Sequence, residues 1–260
     1  MKGEKDMFKR ILLSLVISIF MAGTSFGLHP LVTEDTGVQG KGKTEIEIGF
    51  ERAKESEDGT TQKISSATIT MAYGLTNNMD LILGVPYQNI RTKTEEATSS
   101  EDGIADTVVE LKWKFYERDG LSFALKPSFT LPSGSKKRGL GNGRATYGFY
   151  FITTKEIEPF TLHFNLMYKR NENGKEPKDR PDLWHISLAS EVKLMKDLRF
   201  AANIGMDKNP GAASNVDPAF ALGGFVYSIS EDLDIDIGYK RGLNKPATDY
   251  SILAGLTWRF

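Results

Sequence analysis

The sequence contains no cysteine, only three histidines and, beyond residue 23, no apolar run near the roughly 20 residues that a membrane-spanning helix needs. Without cysteine there is neither a disulfide framework nor a lipidation thiol, so hydrogen bonds and packing must hold the fold. His29, His163 and His185 lack metal-ligand spacing, and neither a metal nor a cofactor is expected. An excess of charge of one sign is also missing. The 33 basic and 34 acidic residues leave a net charge of -1, which does not point to nucleic acid. Charged residues make up 26% and mean hydropathy is -0.32, which excludes a polytopic helical membrane protein. A transmembrane β-barrel stays open, because only alternate residues of each strand face lipid. The glycine clusters GKGK and GLGNGR do not sit in a strand–loop–helix unit and read as loop glycines rather than a phosphate cradle.

What is present begins with an export pattern. Lys2, Lys5, Lys9 and Arg10 precede the apolar run ILLSLVISIFMAG and the small-residue stretch TSFG, as in a Sec signal peptide. Cleavage after Gly27 predicts three parts: residues 1–27 a signal peptide, 28–42 a periplasmic N-terminal segment or partial plug, and 43–260 an outer-membrane β-barrel. Losing four basic and two acidic residues would leave 29 against 32, a charge of about -3.

From Lys43 onward the chain alternates with period 2, the signature of strands with two unlike faces. The clearest stretches are 44–51, 79–87, 107–115, 121–131, 160–169, 183–194, 198–206, 233–240 and 250–260, with less regular ones at 63–73, 145–153 and 218–228. The fold class is therefore all-β, an antiparallel up-and-down transmembrane barrel of about 12 strands, each near the ten residues a tilted strand needs to cross the hydrocarbon. A lysine or arginine facing lipid at mid-bilayer costs roughly 2–4 kcal/mol, and none has to be placed there. In 183–194 one face carries Trp184, Ile186, Leu188 and Val192, and the other His185, Ser187, Ala189, Glu191 and Lys193. A soluble sandwich would also alternate, but the connections argue against it. Tight turns at 74–78, 117–120, 154–159, 195–197 and 230–232 take turns with longer polar segments at 53–62, 91–103, 132–144, 170–182, 207–217 and 241–249. Short periplasmic turns and long external loops are what outer-membrane barrels show. Aromatics such as Phe50, Tyr73, Tyr87, Trp113, Tyr168, Tyr239 and Trp258 fall near strand ends, where interfacial girdles belong. The terminal GLTWRF resembles the signal read by barrel-assembly machinery, with Phe260 as its key residue.

Several segments carry a family resemblance. PLVTEDTGVQGKGKTEIE (30–47), GLTNNMDLILGVPY (74–87), DGIADTVVELKWKF (102–115) and LKPSFTLPSGSKKRGLGNGRATYGFYF (125–151) are similar, in that order, to the outer-membrane family of meta-pathway phenol-degradation proteins. That resemblance implies a transporter for hydrophobic or aromatic compounds and no catalytic residues.

A closed barrel of twelve strands would have a backbone diameter of about 24 Å and, once side chains are counted, a lumen of about 10 Å, suited to a small solute. Candidate lumen-lining residues are Glu110, Lys112, Lys114, Lys126, His163, Asn165, Lys169, His185, Glu191, Lys193, Arg199, Asp234, Asp236, Lys240 and Arg259, joined by Glu45, Glu47, Asp80 and Asp106. Their mixed signs argue against strong ion selectivity. The leading functional expectation is a channel for passive passage of small molecules, hydrophobic or aromatic compounds among them. A structural or surface-interaction barrel with a closed lumen is the alternative. An outer-membrane lipid hydrolase would need serine and histidine on the lipid-facing outer rim. His163 and His185 instead share the polar face with Asn165 and Ser187, and no enzyme is expected. The partners implied are the bilayer with its lipopolysaccharide, the assembly machinery during insertion and a small-molecule solute.

Overall fold

The computed structural model describes residues 29–57, 59–171 and 180–260. The expected signal peptide at 1–27 and residues 172–179 of the expected 170–182 loop lie outside the described residues. The strands are β1 (Thr44–Glu57), β2 (Thr60–Thr76), β3 (Met79–Lys93), β4 (Thr98–Ile104), β5 (Thr107–Arg118), β6 (Leu121–Leu131), β7 (Thr146–Ile157), β8 (Phe160–Arg170), β9 (Asp182–Met195), β10 (Leu198–Asp207), β11 (Ala219–Ser228), β12 (Leu233–Gly242) and β13 (Tyr250–Arg259). A 3-10 turn, Lys136–Arg138, interrupts the connection between β6 and β7.

All pairings are antiparallel, and β1 also pairs with β13 from Glu45↔Arg259 to Lys54↔Tyr250, which closes the sheet on itself. Two strands share one partner. β5 pairs with residues 79–84 of β3 and β4 with residues 87–93, while the Ala105 N–H donates to the Pro86 carbonyl at 2.8 Å between them. β4 and β5 are thus two halves of one stave, and the closed barrel has twelve.

The alternation has the sense the sequence implies. Ile69, Met71 and Tyr73 on β2, Leu81 and Leu83 on β3, and Ile235, Ile237 and Tyr239 on β12 are exposed. The residues between them are enclosed. Lys126, Glu110, Gln62, Asn165, Asn203 and Asp80 are among the most completely buried side chains, beside Ile152 and Leu183. An exposed apolar belt of this extent is tolerated only against lipid, and a polar interior only where hydrogen bonds or water satisfy it. In β5 the register slips between Lys114 and Tyr116, so Phe115 and Tyr116 both reach the exposed side. There Trp113, Phe115, Phe123 and Phe151 form a run of rings with centroids 5.6–6.2 Å apart, part of an interfacial girdle.

Two expected long loops are strand instead. Residues 53–62 continue β1 and β2 in register from Ala53↔Ile64 to Glu57↔Thr60. Residues 91–103 complete β3 and supply β4, pairing Arg91↔Ser100, around a turn closed by the Thr94 N–H on the Ala97 carbonyl. The reason is physical: beyond the lipid the outward face meets water and turns polar like the inward one, which removes the alternation without breaking the ladder. The 132–144 connection, by contrast, folds inward. The Asp106 carboxylate accepts the Gly134 and Asn142 N–H groups at 2.9 and 2.7 Å. Leu140 is fully buried against inward-facing Ile64 and Ile90 at the outer mouth. A β-carbon at Gly134 would lie 2.1 Å from the Leu140 carbonyl oxygen, so glycine is required for that approach.

Candidate functional site

The chain before β1 has no strand pattern, and its backbone groups must find partners elsewhere. They find them on the inner wall. Asn203 Oδ1 accepts the Val32 and Thr33 N–H groups at 2.8 and 3.1 Å. Asn165 brackets Glu34, its Oδ1 accepting the N–H at 2.7 Å and its Nδ2 donating to the carbonyl at 2.9 Å. Thr36 donates its N–H to Thr154 Oγ1, and Gln39 donates its N–H to Asp80 Oδ2 at 2.9 Å. Residues 29–43 therefore cross the interior from the β12–β13 wall to the β2–β3 wall, passing over β10, β8 and β6.

The first residues of this crossing lie against a wall kept flat by glycine. A β-carbon on Gly255 would meet His29 Nδ1 at 2.4 Å, and one on Gly238 would meet Pro30 at 2.8 Å. His29 Nδ1 pairs with Asp236 Oδ1 at 2.5 Å. Burial favours the neutral ring, but the hydrogen bond and charge of Asp236 outweigh it and raise the His29 pKa. Leu31 then enters an apolar cluster with Ala189, Ala201, Phe220, Leu222 and Leu253.

Mid-lumen, Glu34 is completely buried between two lysines. Lys112 Nζ is 3.1 Å from Glu34 Oε2 and 3.5 Å from Asp35 Oδ1. Lys126 pairs with the other Glu34 oxygen and, at 2.8 Å, with Glu110 Oε2. Its Nζ also lies 4.5 Å from the Tyr150 ring centroid, a cation–π geometry. Burial would raise the Asp35 pKa, yet the charge of Lys112 prevails and holds it below the ordinary carboxylate value.

The remaining sequence candidates fall into smaller groups. Arg199 bridges Glu191 at 2.9 Å and Asp234 at 3.4 Å, and Arg259 bridges Asp234 at 3.1 Å and Glu45 at 2.9 Å. Lys240 meets Glu51 at 2.8 Å, and Lys114 meets Glu117 at 2.6 Å. His163 is buried, with Nδ1 3.0 Å from Thr154 Oγ1 and Nε2 3.6 Å from Glu191. His185 pairs with Asp207 at 2.8 Å and stacks on Phe220. Lys169 is half-buried, and its side chain makes no hydrogen bond or ion pair among the described residues. Lys193 is exposed on the rim, beside Glu156 and Arg199, in a vestibule of about 680 Å³. Glu34 and Asp35, which organise the centre, are absent from the sequence candidates. The only sequence signal for them is indirect: the inward faces of β5 and β6 carry Lys112, Lys114 and Lys126 against Glu110 alone, a cationic excess that needs an anion from elsewhere.

The crossing does not fill the lumen. Between it and the wall formed by β1, β2, β3 and β13 lies a cavity of about 310 Å³, bounded by Asp35, Gln39, Glu45, Glu47, Asp80, Lys112 and Arg259. Asp80 Oδ1 is buried there without a hydrogen-bond partner.

A closed twelve-stave barrel, apolar outside and charged within, has the architecture of an outer-membrane channel. The chain belongs to the family described as "Putative MetA-pathway of phenol degradation", which matches residues 29–260. No curated protein matches the sequence. Among solved structures it is similar to the COG4313 outer membrane channel from Pseudomonas putida F1, at 11% identity with a TM-score of 0.68, covering 87% of this chain and 98% of that one. It is also similar to the KdgM porin (9% identity, TM-score 0.57, covering 83% and 99%). A third is the translocator domain of the autotransporter NalP from Neisseria meningitidis (12% identity, TM-score 0.51, covering 100% and 97%). At these identities the likeness is one of fold, and these relatives are a channel, a porin and a translocator rather than enzymes.

Proposed function

We propose that the protein resides in the outer membrane and passes small molecules through its lumen by diffusion, along the gap between the inner segment and the β1–β3 wall. The observation that supports this reading is the charged, incompletely filled interior, with a cavity of about 310 Å³ beside the segment. A purely structural barrel could bury apolar side chains in that space at lower desolvation cost. Hydrophobic or aromatic compounds are the proposed solutes, on the strength of the family's description. Lumen-lining roles are proposed for the inward residues above, and the assembly machinery is the proposed reader of Phe260.

The test is single-channel current from the refolded barrel in planar bilayers, combined with uptake of phenol, benzoate and a sugar of similar size in a porin-depleted host. Current with preferential uptake of the aromatic compounds is the expected result. Current without preference would reduce the reading to a general small porin. Absence of current, both with and without residues 29–40, would favour the closed structural barrel, the alternative suggested by the buried Glu34 cluster.

A further inference from the structure

A basic surface on the lipid-facing side takes no part in the proposed channel. On β1 the outward face runs from Phe50 to Arg52 and Lys54, and on β2 Lys63 lies on the same face as Ile69 and Met71. On β3 Arg91 and Lys93 share the face of Tyr87, and on β12 Arg241 shares that of Tyr239. The register aligns them. Arg241 pairs with Tyr250, Tyr250 with Lys54, Lys54 with Lys63, and Lys63 with Arg91. One straight row thus crosses five adjacent strands, with Arg52 one layer below and Lys93 one layer above.

Lys54, Lys63 and Arg91, the last three members of the row, are like charges directly opposite one another on strands about 4.8 Å apart. Such pairs destabilise a sheet unless an anion lies across them. Among the described residues none is supplied: the side chains of Arg52, Lys54, Lys63, Arg91, Lys93 and Arg241 make no ion pair or hydrogen bond. Asp102, an acid on this face, accepts the Tyr87 hydroxyl at 2.6 Å. On the opposite arc two cations at the same end are paired: Arg170 meets Asp182 at 2.7 Å and Lys208 meets Asp217 at 3.1 Å.

Depth identifies the ligand. The row stands just beyond Phe50, Tyr87 and Tyr239, exposed aromatics at the edge of the apolar belt, on the end of the barrel opposite the tight turns. In barrels of this class that end is extracellular, where the outer leaflet carries lipopolysaccharide phosphates at headgroup depth. The geometry points to a lipopolysaccharide-binding surface on the β12–β13–β1–β2–β3 arc, with Lys54, Lys63 and Arg91 holding lipid A phosphates. Acyl chains would lie on the apolar belt below. The inference rests on the outer-membrane placement proposed above.

The test compares the wild type with the Lys54→Gln, Lys63→Gln, Arg91→Gln triple variant and with Arg170→Gln, Lys208→Gln on the opposite arc. All three are purified in detergent and titrated with rough lipopolysaccharide, its dephosphorylated form and phosphatidylglycerol, with binding read by native mass spectrometry. Each basic residue near an anionic lipid surface contributes enough that losing three weakens binding about a hundredfold. The opposite-arc variant should bind as the wild type does, and dephosphorylation should abolish the difference. Equal affinity in wild type and triple variant, or equal binding of phosphatidylglycerol, overturns the inference. Heat-modifiable migration on gels establishes folding, and if the triple variant fails to fold, Lys63→Gln alone should still weaken binding about fivefold. Envelope fractionation separates the two levels: absence from the outer membrane sinks the placement, whereas presence there without selective binding sinks only this surface.

Discussion

Replacing Glu34 with glutamine keeps the shape of the side chain and the backbone bonds to Asn165 but removes the charge that Lys112 and Lys126 share. Breaking a buried pair by deleting one partner typically costs about 3–5 kcal/mol. Glu110 and Asp35 still accompany the two lysines in the variant, so the lower end, about 3 kcal/mol, applies. If that cost falls on the seated state of residues 29–43 and not on the barrel, the unseated population rises about a hundredfold. The sequence offers a clean reporter, because it has no native cysteine. Leu31→Cys places one thiol in the buried cluster next to Phe220 and Leu222. Its labelling by a charged, membrane-impermeant thiol reagent should accelerate about a hundredfold when Glu34→Gln is added, provided opening is fast relative to labelling. Migration as a folded barrel in both backgrounds removes global unfolding as the cause. An unchanged labelling rate in folded protein would refute the claim that this ion cluster holds the segment in place.

Other predictions use the same reporter or the same barrel. Divided by the rate of a free thiol at the same pH, which removes the pH dependence of the thiolate itself, labelling should be slowest near pH 5–6. The raised His29 pKa contributes attachment that is full below its free value of 6.5 and lost as pH rises through the seated value. The lowered Asp35 pKa contributes attachment present above its free value of 3.8 and lost as pH falls through the seated value. A monotonic profile would contradict this assignment. Gly255→Ala should displace His29 from Asp236, since the added carbon would lie 2.4 Å from the ring, and accelerate labelling while leaving the barrel's gel mobility intact. Phe260→Ala should lower the folded fraction recovered from cells more than it lowers the stability of refolded protein, because recognition during insertion, not the exposed ring's packing, is the property lost.

Much of the barrel was legible because lipid imposes a strict rule on every second residue. Ile235 and Ile237 against Asp234 and Asp236 state that rule in four residues. Where lipid ends, the rule ends too: Lys54, Glu55, Arg91 and Lys93 carry no hydropathy cue, so the strands containing them read as loops although their ladders continue. The interior crossing was less legible for a different reason. Its order comes from Asn203, Asn165, Thr154 and Asp80, side chains 41–171 residues distant along the chain. Nothing local in PLVTEDTG encodes those partners, and an asparagine on an inward face looks the same whether it meets water or a peptide group.

The seat of that crossing also bears on an order of events. It includes Asp236 and Gly255 from the last two strands and Asp80 from the third, and the terminal strands meet along the β1–β13 ladder, at one end of which Thr44 and Phe260 exchange backbone hydrogen bonds of 2.8 and 2.9 Å. An open sheet can offer Asn203, Asn165 and Thr154 to its leading residues, but it does not hold the His29 seat and the Gln39 seat in one ring. Full docking of both ends of the inner segment therefore accompanies closure and can report that the ring is complete.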